Sequence, residues 1–113
     1  MNETENGMKR EVKDDKLNFL DYFTPHVLKR YAAHMKKNEH HGRGNWKKGG
    51  YPVHEYLESN MRHLVAAWEN IGDHGYEGDE DHLAAQMFNI VALMNEQHLK
   101  SNQEWTAASN PLA

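Results

Sequence analysis

Apolar residues recur at helical spacing in three stretches of this chain, and nowhere do they alternate with the period of two that a half-buried strand requires. Val27, Leu28, Tyr31, Ala32 and Met35 mark the first stretch. Leu57, Met61, Leu64, Val65, Trp68 and Ile71 mark the second, and Leu83, Met87, Ile90, Val91 and Met94 the third. Such stripes predict three amphipathic helices that bury these faces. Thr24 and Pro25 form a start signal, Thr as N-cap and Pro at the first helical position, so the first helix should run to about Asn38. Pro52 opens the second helix and Gly72 ends it. The third begins near Asp79 or Asp81, where a carboxylate suits the positive end of the helix dipole. The connection from Glu39 to Tyr51 places Trp46 among Gly42, Gly44, Gly49 and Gly50, and a loop with a large aromatic in its middle should be pinned to something. The expected fold class is all-α, a small helical bundle.

With 113 residues there is room for one core, and a domain this small buries only about two-thirds of its unfolded surface. The bundle is therefore expected to be completed by oligomerisation, as a homo-dimer or tetramer. Residues 1–16, rich in Glu, Lys and Asp, read as a flexible arm; 17–99 read as the domain, and 100–113 as a flexible tail. Leu17, Phe19, Leu20, Tyr22 and Phe23 form an apolar patch that reads as a docking segment or one helical turn. A net charge of −4 gives no support for broad contact with a phosphate backbone, and the basic run from Arg43 to Lys48 is short, so no nucleic-acid partner is expected. The absence of cysteine removes disulfides, zinc–thiolate sites and thiol catalysis. Residues 1–15 lack the apolar centre of a signal peptide, and no apolar run approaches the ~20 residues that span a bilayer. A cytoplasmic protein with no membrane partner is the expectation.

Candidate chemistry lies on the second and third helices. Residues three, four or seven apart share a helix face, so Glu55, Glu58, Arg62 and Glu69 line one stripe, with His63 at its edge. Glu55 and Glu58 can hold a hard cation such as Mg²⁺ or Mn²⁺ through oxygens; the same stripe also reads as a solvated ion-pair face. On the third helix Asp81, Ala85, Asn89, Ala92 and Glu96 cluster together, with His82 nearby. Alanines interleaved with Asn and acids suit a ligand cleft, or a polar contact between closely approaching helices. Glu77-x-x-Glu80 followed by Asp81 makes a second acidic group. There are nine histidines, yet no His-x3-His pair and no His-Glu-x-x-His motif, so a purely histidine metal site is not expected. No nucleophile elbow and no Walker-type glycine loop is present.

Taken in order, Asn45-Trp46-Lys47-Lys48-Gly49, Tyr56-Leu57, Arg62-His63-Leu64 with Trp68, and Asp81-His82-Leu83-Ala84-Ala85 with Asn89 resemble the dATP/dGTP diphosphohydrolase family, small MazG-like proteins found largely in phages. The similarity spans about Thr24 to Glu96. It implies all-α, MazG-like helices, a divalent Mg²⁺ or Mn²⁺ cofactor, and hydrolysis of a purine deoxynucleoside triphosphate to the monophosphate and pyrophosphate. Under the resemblance Asn45, Trp46, Lys48, Arg62, His63, His82 and Asn89 are candidates for substrate binding. Glu55, Glu58, Glu80 and Asp81 are candidate metal ligands, with Glu58 and Asp81 the candidate catalytic carboxylates. In the family a Lys-Tyr segment commonly precedes the Asn-Trp; here that stretch reads Lys37 to Gly44, and Glu39, His40 and His41 receive no role. The competing expectation is a non-enzymatic helical accessory module that binds a nucleotide or a protein.

Overall fold

The structure, a computed structural model, describes residues 15–101 and, before them, the backbone of two short strands, β1 (Asn2–Glu3) and β2 (Lys9–Arg10). The rest of the expected arm and nearly all of the expected tail lie outside the described residues. Three helices carry the fold: α1 (Pro25–Lys37), α2 (Val53–Glu69) and α3 (His82–Ser101). A ribbon of two residues per strand, β3 (Tyr76–Glu77) against β4 (Glu80–Asp81), joins α2 to α3. The architecture is all-α; among the described residues strand occurs only as these four two-residue segments.

The helix boundaries follow local chemistry. Thr24 Oγ1 accepts the N–H of Val27 at 3.2 Å and Pro25 occupies the first turn, so α1 begins where its start signal lies. Asp81 caps α3 in the same way, accepting the N–H of Ala84 at 3.1 Å. Gly72 does not end α2 as expected. The helix stops at Glu69, Asn70 turns the chain, and Gly72 falls inside a following 3-10 turn, Ile71–Asp73. Residues 20–22 also form a single 3-10 turn, with Leu17, Phe19, Leu20 and Tyr22 exposed.

Helices α2 and α3 form the main packed pair, and α1 lies against α3. Contacts pair His63 with His82, Ser59 with Asn89, and Tyr51 with Glu96, so the order along α2 runs opposite to that along α3 and the two are antiparallel. The inward faces are the small and polar ones. Ala67, Ala84, Ala85, Ala92 and Tyr56 are buried, together with Asp81, His82, Asn89 and Glu96. Alanines let two helix backbones approach closely, and the polar residues between them are satisfied by partners described below.

The large apolar stripes do the reverse of what their spacing predicts. Met61, Leu64, Val65, Trp68 and Ile71 are exposed, Trp68 by 76%. Val27 and Leu28 on α1, and Leu83, Ile90 and Met94 on α3, are exposed as well. Helical periodicity locates an apolar face but does not say whether the same chain covers it.

Candidate active site

The loop between α1 and α2 is held by a carboxylate from α3. Glu96, 1% exposed, accepts the backbone N–H of Gly50 at 3.2 Å and of Tyr51 at 3.3 Å, just before α2 begins. Both donors lie just ahead of the Pro52 N-cap, at the end of the helix where a negative charge is favoured by the dipole. Gly49, at φ +75°, takes a backbone conformation that side chains resist. A Cβ there would also press on the terminal methyl of Leu99, which can move aside, so the positive φ is what favours glycine at this point. Upstream, Asn45–Lys48 form one 3-10 turn entered through Gly44 in the left-handed region. That turn sets the Trp46 ring edge-on to Phe88 of α3, 5.9 Å between centroids. The pinned aromatic expected from the sequence is thus pinned by Phe88.

Loop and helices enclose a cleft of about 740 Å³, within the range of small-ligand sites. One part is aromatic: Trp46, Tyr51, Tyr56 and Phe88, with Tyr51 tilted on Tyr56 at 4.9 Å and Tyr56 edge-on to Phe88 at 6.1 Å. Another part is polar and includes Asn45, Ser59, Asn89, Arg62, His34, His63, Glu55 and Glu80. Asn89 is buried and its amide donates to Ser59 Oγ at 3.3 Å, which orients its carbonyl. Burial depresses the basicity of His34, against the opposing pull of Asp81 and Glu80. Burial does the same to His63, reinforced by the neighbouring His82. Both imidazoles are therefore biased towards the neutral form.

Of the residues singled out by sequence, Asn45, Trp46, Arg62, His63, Asn89, Glu55 and Glu80 line this one cleft. Lys48, Glu58 and Asp81 do not, and His82 stands behind His63. Glu58 is more than half exposed and lies 3.6 Å from His54 on its own helix, the ion-pair face that the sequence left open. Asp81 is engaged elsewhere. Its two oxygens take a forked ion pair from Arg30, at 2.5 Å from Nε and 2.8 Å from Nη2, while one also caps α3. Burial opposes its charge, but the hydrogen bonds from Arg30 and the Ala84 amide outweigh that and hold the carboxyl below the ordinary carboxylate range. An acid so occupied has little capacity left for a cation.

Arg30 also donates to the His74 carbonyl at 2.9 Å and lies over the Tyr76 ring, so it ties α1 to the ribbon ahead of α3. Arg30, His34, Ser59, Tyr51 and Phe88 received no role from the sequence. For Phe88 a signal existed, since it neighbours Asn89 on α3; the others come together only through long-range contacts.

A family model described as dATP/dGTP diphosphohydrolase, N-terminal, matches residues 4–105. The chain belongs to this family. The matched span covers the whole cleft and all three helices. The search of curated proteins and the search of solved structures each find no match. The dATP/dGTP diphosphohydrolase family is named for a nucleotide substrate, and the match is to its N-terminal part. Among the described residues no helix is long and apolar enough to cross a membrane.

Proposed function

We propose that this member of the dATP/dGTP diphosphohydrolase family is a metal-dependent pyrophosphohydrolase. It cleaves a purine deoxynucleoside triphosphate to the monophosphate and pyrophosphate. The observation that carries the reading is that a single cleft holds an aromatic wall, three side-chain amides, an arginine and two carboxylates. Those are the groups that a base, its polar edge, a polyphosphate and a divalent cation call for. Trp46 offers its face to a purine, and Asn45 and Asn89 offer donors and acceptors to the base edge. Arg62 gives a forked contact to phosphate oxygens in place of Lys48, which lies off the cleft.

Glu55 and Glu80 supply hard oxygen donors that fit Mg²⁺ or Mn²⁺. A cation there would lower the pKa of an attacking water and neutralise charge developing on the leaving pyrophosphate. The protein's share is positioning. Glu96 fixes the loop that carries Trp46, Arg62 holds the phosphates, and the aromatic wall excludes water from the base. Glu58 and Asp81, first candidates for catalysis, give way to Glu55 and Glu80 in this proposal. The exposed stripe of α2 is proposed to meet a second copy of the chain, and the free nucleotide pool on which the enzyme would act is cytoplasmic.

The second reading is binding without turnover, favoured by the engagement of Asp81 with Arg30, which leaves few carboxylates facing the cleft. Pyrophosphate release from a panel of ribo- and deoxynucleoside triphosphates, with Mn²⁺, with Mg²⁺ and with a chelator, separates the two. Metal-dependent release from dATP or dGTP is the expected result. A folded protein that binds dATP or dGTP and releases nothing under either metal would establish the second reading.

A further inference from the structure

His63 of α2 and His82 at the start of α3 bring their Nδ1 atoms to 2.8 Å of each other. On its far side His82 Nε2 donates to Glu77 Oε1 at 3.0 Å. Glu80, across the ribbon from Glu77, reaches the same place. His63, Glu80 and His82 each offer a ligand atom, all within 4.8 Å of one another. From this geometry we infer that His63, His82 and Glu80 form a transition-metal site, of Zn²⁺ or Co²⁺ type, at the edge of the cleft. The site would share Glu80 with the oxygen-bound cation proposed above, and it does not depend on nucleotide hydrolysis.

The donor set is the first reason. Two imidazole nitrogens and a carboxylate suit borderline first-row cations, whereas Mg²⁺ prefers oxygens alone. The outer partner is the second. Histidine ligands commonly donate their remaining ring N–H to a carboxylate, which sets the tautomer and orients the ring. Glu77 does this for His82: with the proton on Nε2, the lone pair of Nδ1 points at His63. His82 is buried, so the ring has little freedom to turn elsewhere.

Distance is the third reason. Two nitrogens bound to one tetrahedral ion at about 2.0–2.1 Å stand roughly 3.3 Å apart. The rings, 2.8 Å apart, need to part by only about half an ångström to admit one, a small rotation of the half-buried His63. Both His63 and Glu80 line the cleft, so the ion's open side would face whatever the cleft binds. The sequence hides this site because its histidines stand 19 positions apart on different helices, without a spaced motif.

The test is a Co²⁺ titration of the full chain after chelator treatment, read by visible ligand-field absorption. The comparison proteins are His63→Ala, Glu77→Gln and the surface variant His54→Ala, each checked for helical content by circular dichroism. Glu77 is exposed and outside the ligand set, so its variant keeps the result independent of damage to the interior. One Co²⁺ per chain with nitrogen-ligand bands is expected, unaffected by His54→Ala. Glu77→Gln should weaken binding about 10–100-fold, and His63→Ala by more. A wild-type chain without such bands overturns the site. So do bands that persist unchanged in folded His63→Ala and Glu77→Gln, which would place the ion on other histidines. Pyrophosphate release is not read, so failure of the proposed activity leaves this result intact.

Discussion

Arg30 and Asp81 show how one ion pair can decide where an acid works. The fork joins α1 to the cap of α3, with Arg30 only about a fifth exposed and Asp81 buried. Removing Arg30 strands a carboxylate in the interior, so Arg30→Met should cost about 3 kcal/mol or more in chemical denaturation. Asp81→Asn keeps the cap but loses the charge pair and should cost less. Because the Asp81 carboxyl is held below its unfolded range, the pair stabilises the fold above about pH 4, the ordinary Asp value. That contribution is lost as pH falls through the depressed folded value. The unfolding free energies of the parent and of Asp81→Asn, measured in denaturant at a series of pH values, should therefore converge as pH falls; a stability gap that stays constant down to pH 2 would sink the assignment. Trp46 makes a separate prediction at this scale. If its ring stacks on a base, Trp46→Ala should weaken nucleotide binding by about 1–3 kcal/mol, the range seen for base–aromatic stacking. Titration calorimetry with dATP and dGTP measures it.

Among elements, the loop between α1 and α2 has the most to lose. Its path depends on two acceptances by Glu96 and on the left-handed backbone of Gly49 beside Leu99. Glu96→Ala leaves two amides without their acceptor and opens space beneath them, an expected loss of about 2–4 kcal/mol in thermal or denaturant unfolding. Glu96→Gln offers only one acceptor oxygen and should fall between. Gly49→Ala adds backbone strain, and its Cβ presses on the Leu99 methyl. If this loop carries the nucleotide contacts, Gly49→Ala should weaken binding more than it lowers the helical signal of α2 and α3. Equal loss of both would mean that the loop and the helices unfold as one unit.

For the molecule as a whole, the exposed stripe of α2 sets the main expectation. Met61, Leu64, Val65 and Trp68 recur at three- and four-residue intervals, so they share one face, and all are exposed. The buried apolar residues are mostly alanines, which bury little area each, while covering a large side chain is worth about 1.5–3 kcal/mol. An interior of that kind gains from a second copy laid on the stripe. Light scattering coupled to gel filtration should show a dimer or larger, and Trp68→Lys should shift it towards monomer with lower thermal stability. A monodisperse wild-type monomer at micromolar concentration would remove the stripe as an interface and require another partner for it.

Three helices, their start signals and the pinned aromatic loop were legible in the chain, because propensity, capping and spacing act within a few residues. Thr24 and Asp81 behave as caps, and Pro25 as a first-turn residue, for local reasons. The cluster of Asp81, Ala85, Asn89, Ala92 and Glu96 was legible too, since small and polar residues on one face point to a close or polar contact. What lies on the other side of each face was not. The stripe of α2 and the cluster of α3 both satisfy helical periodicity, and only the packed chain decided that the polar cluster goes inside and the large apolar stripe stays out. Likewise Asp81 and Glu80 are adjacent acids with the same local chemistry. Arg30, 51 positions from Asp81, engages one, while the other faces the cleft. Spacing determines which residues share a surface; long-range contacts, invisible to spacing, determine what each surface meets.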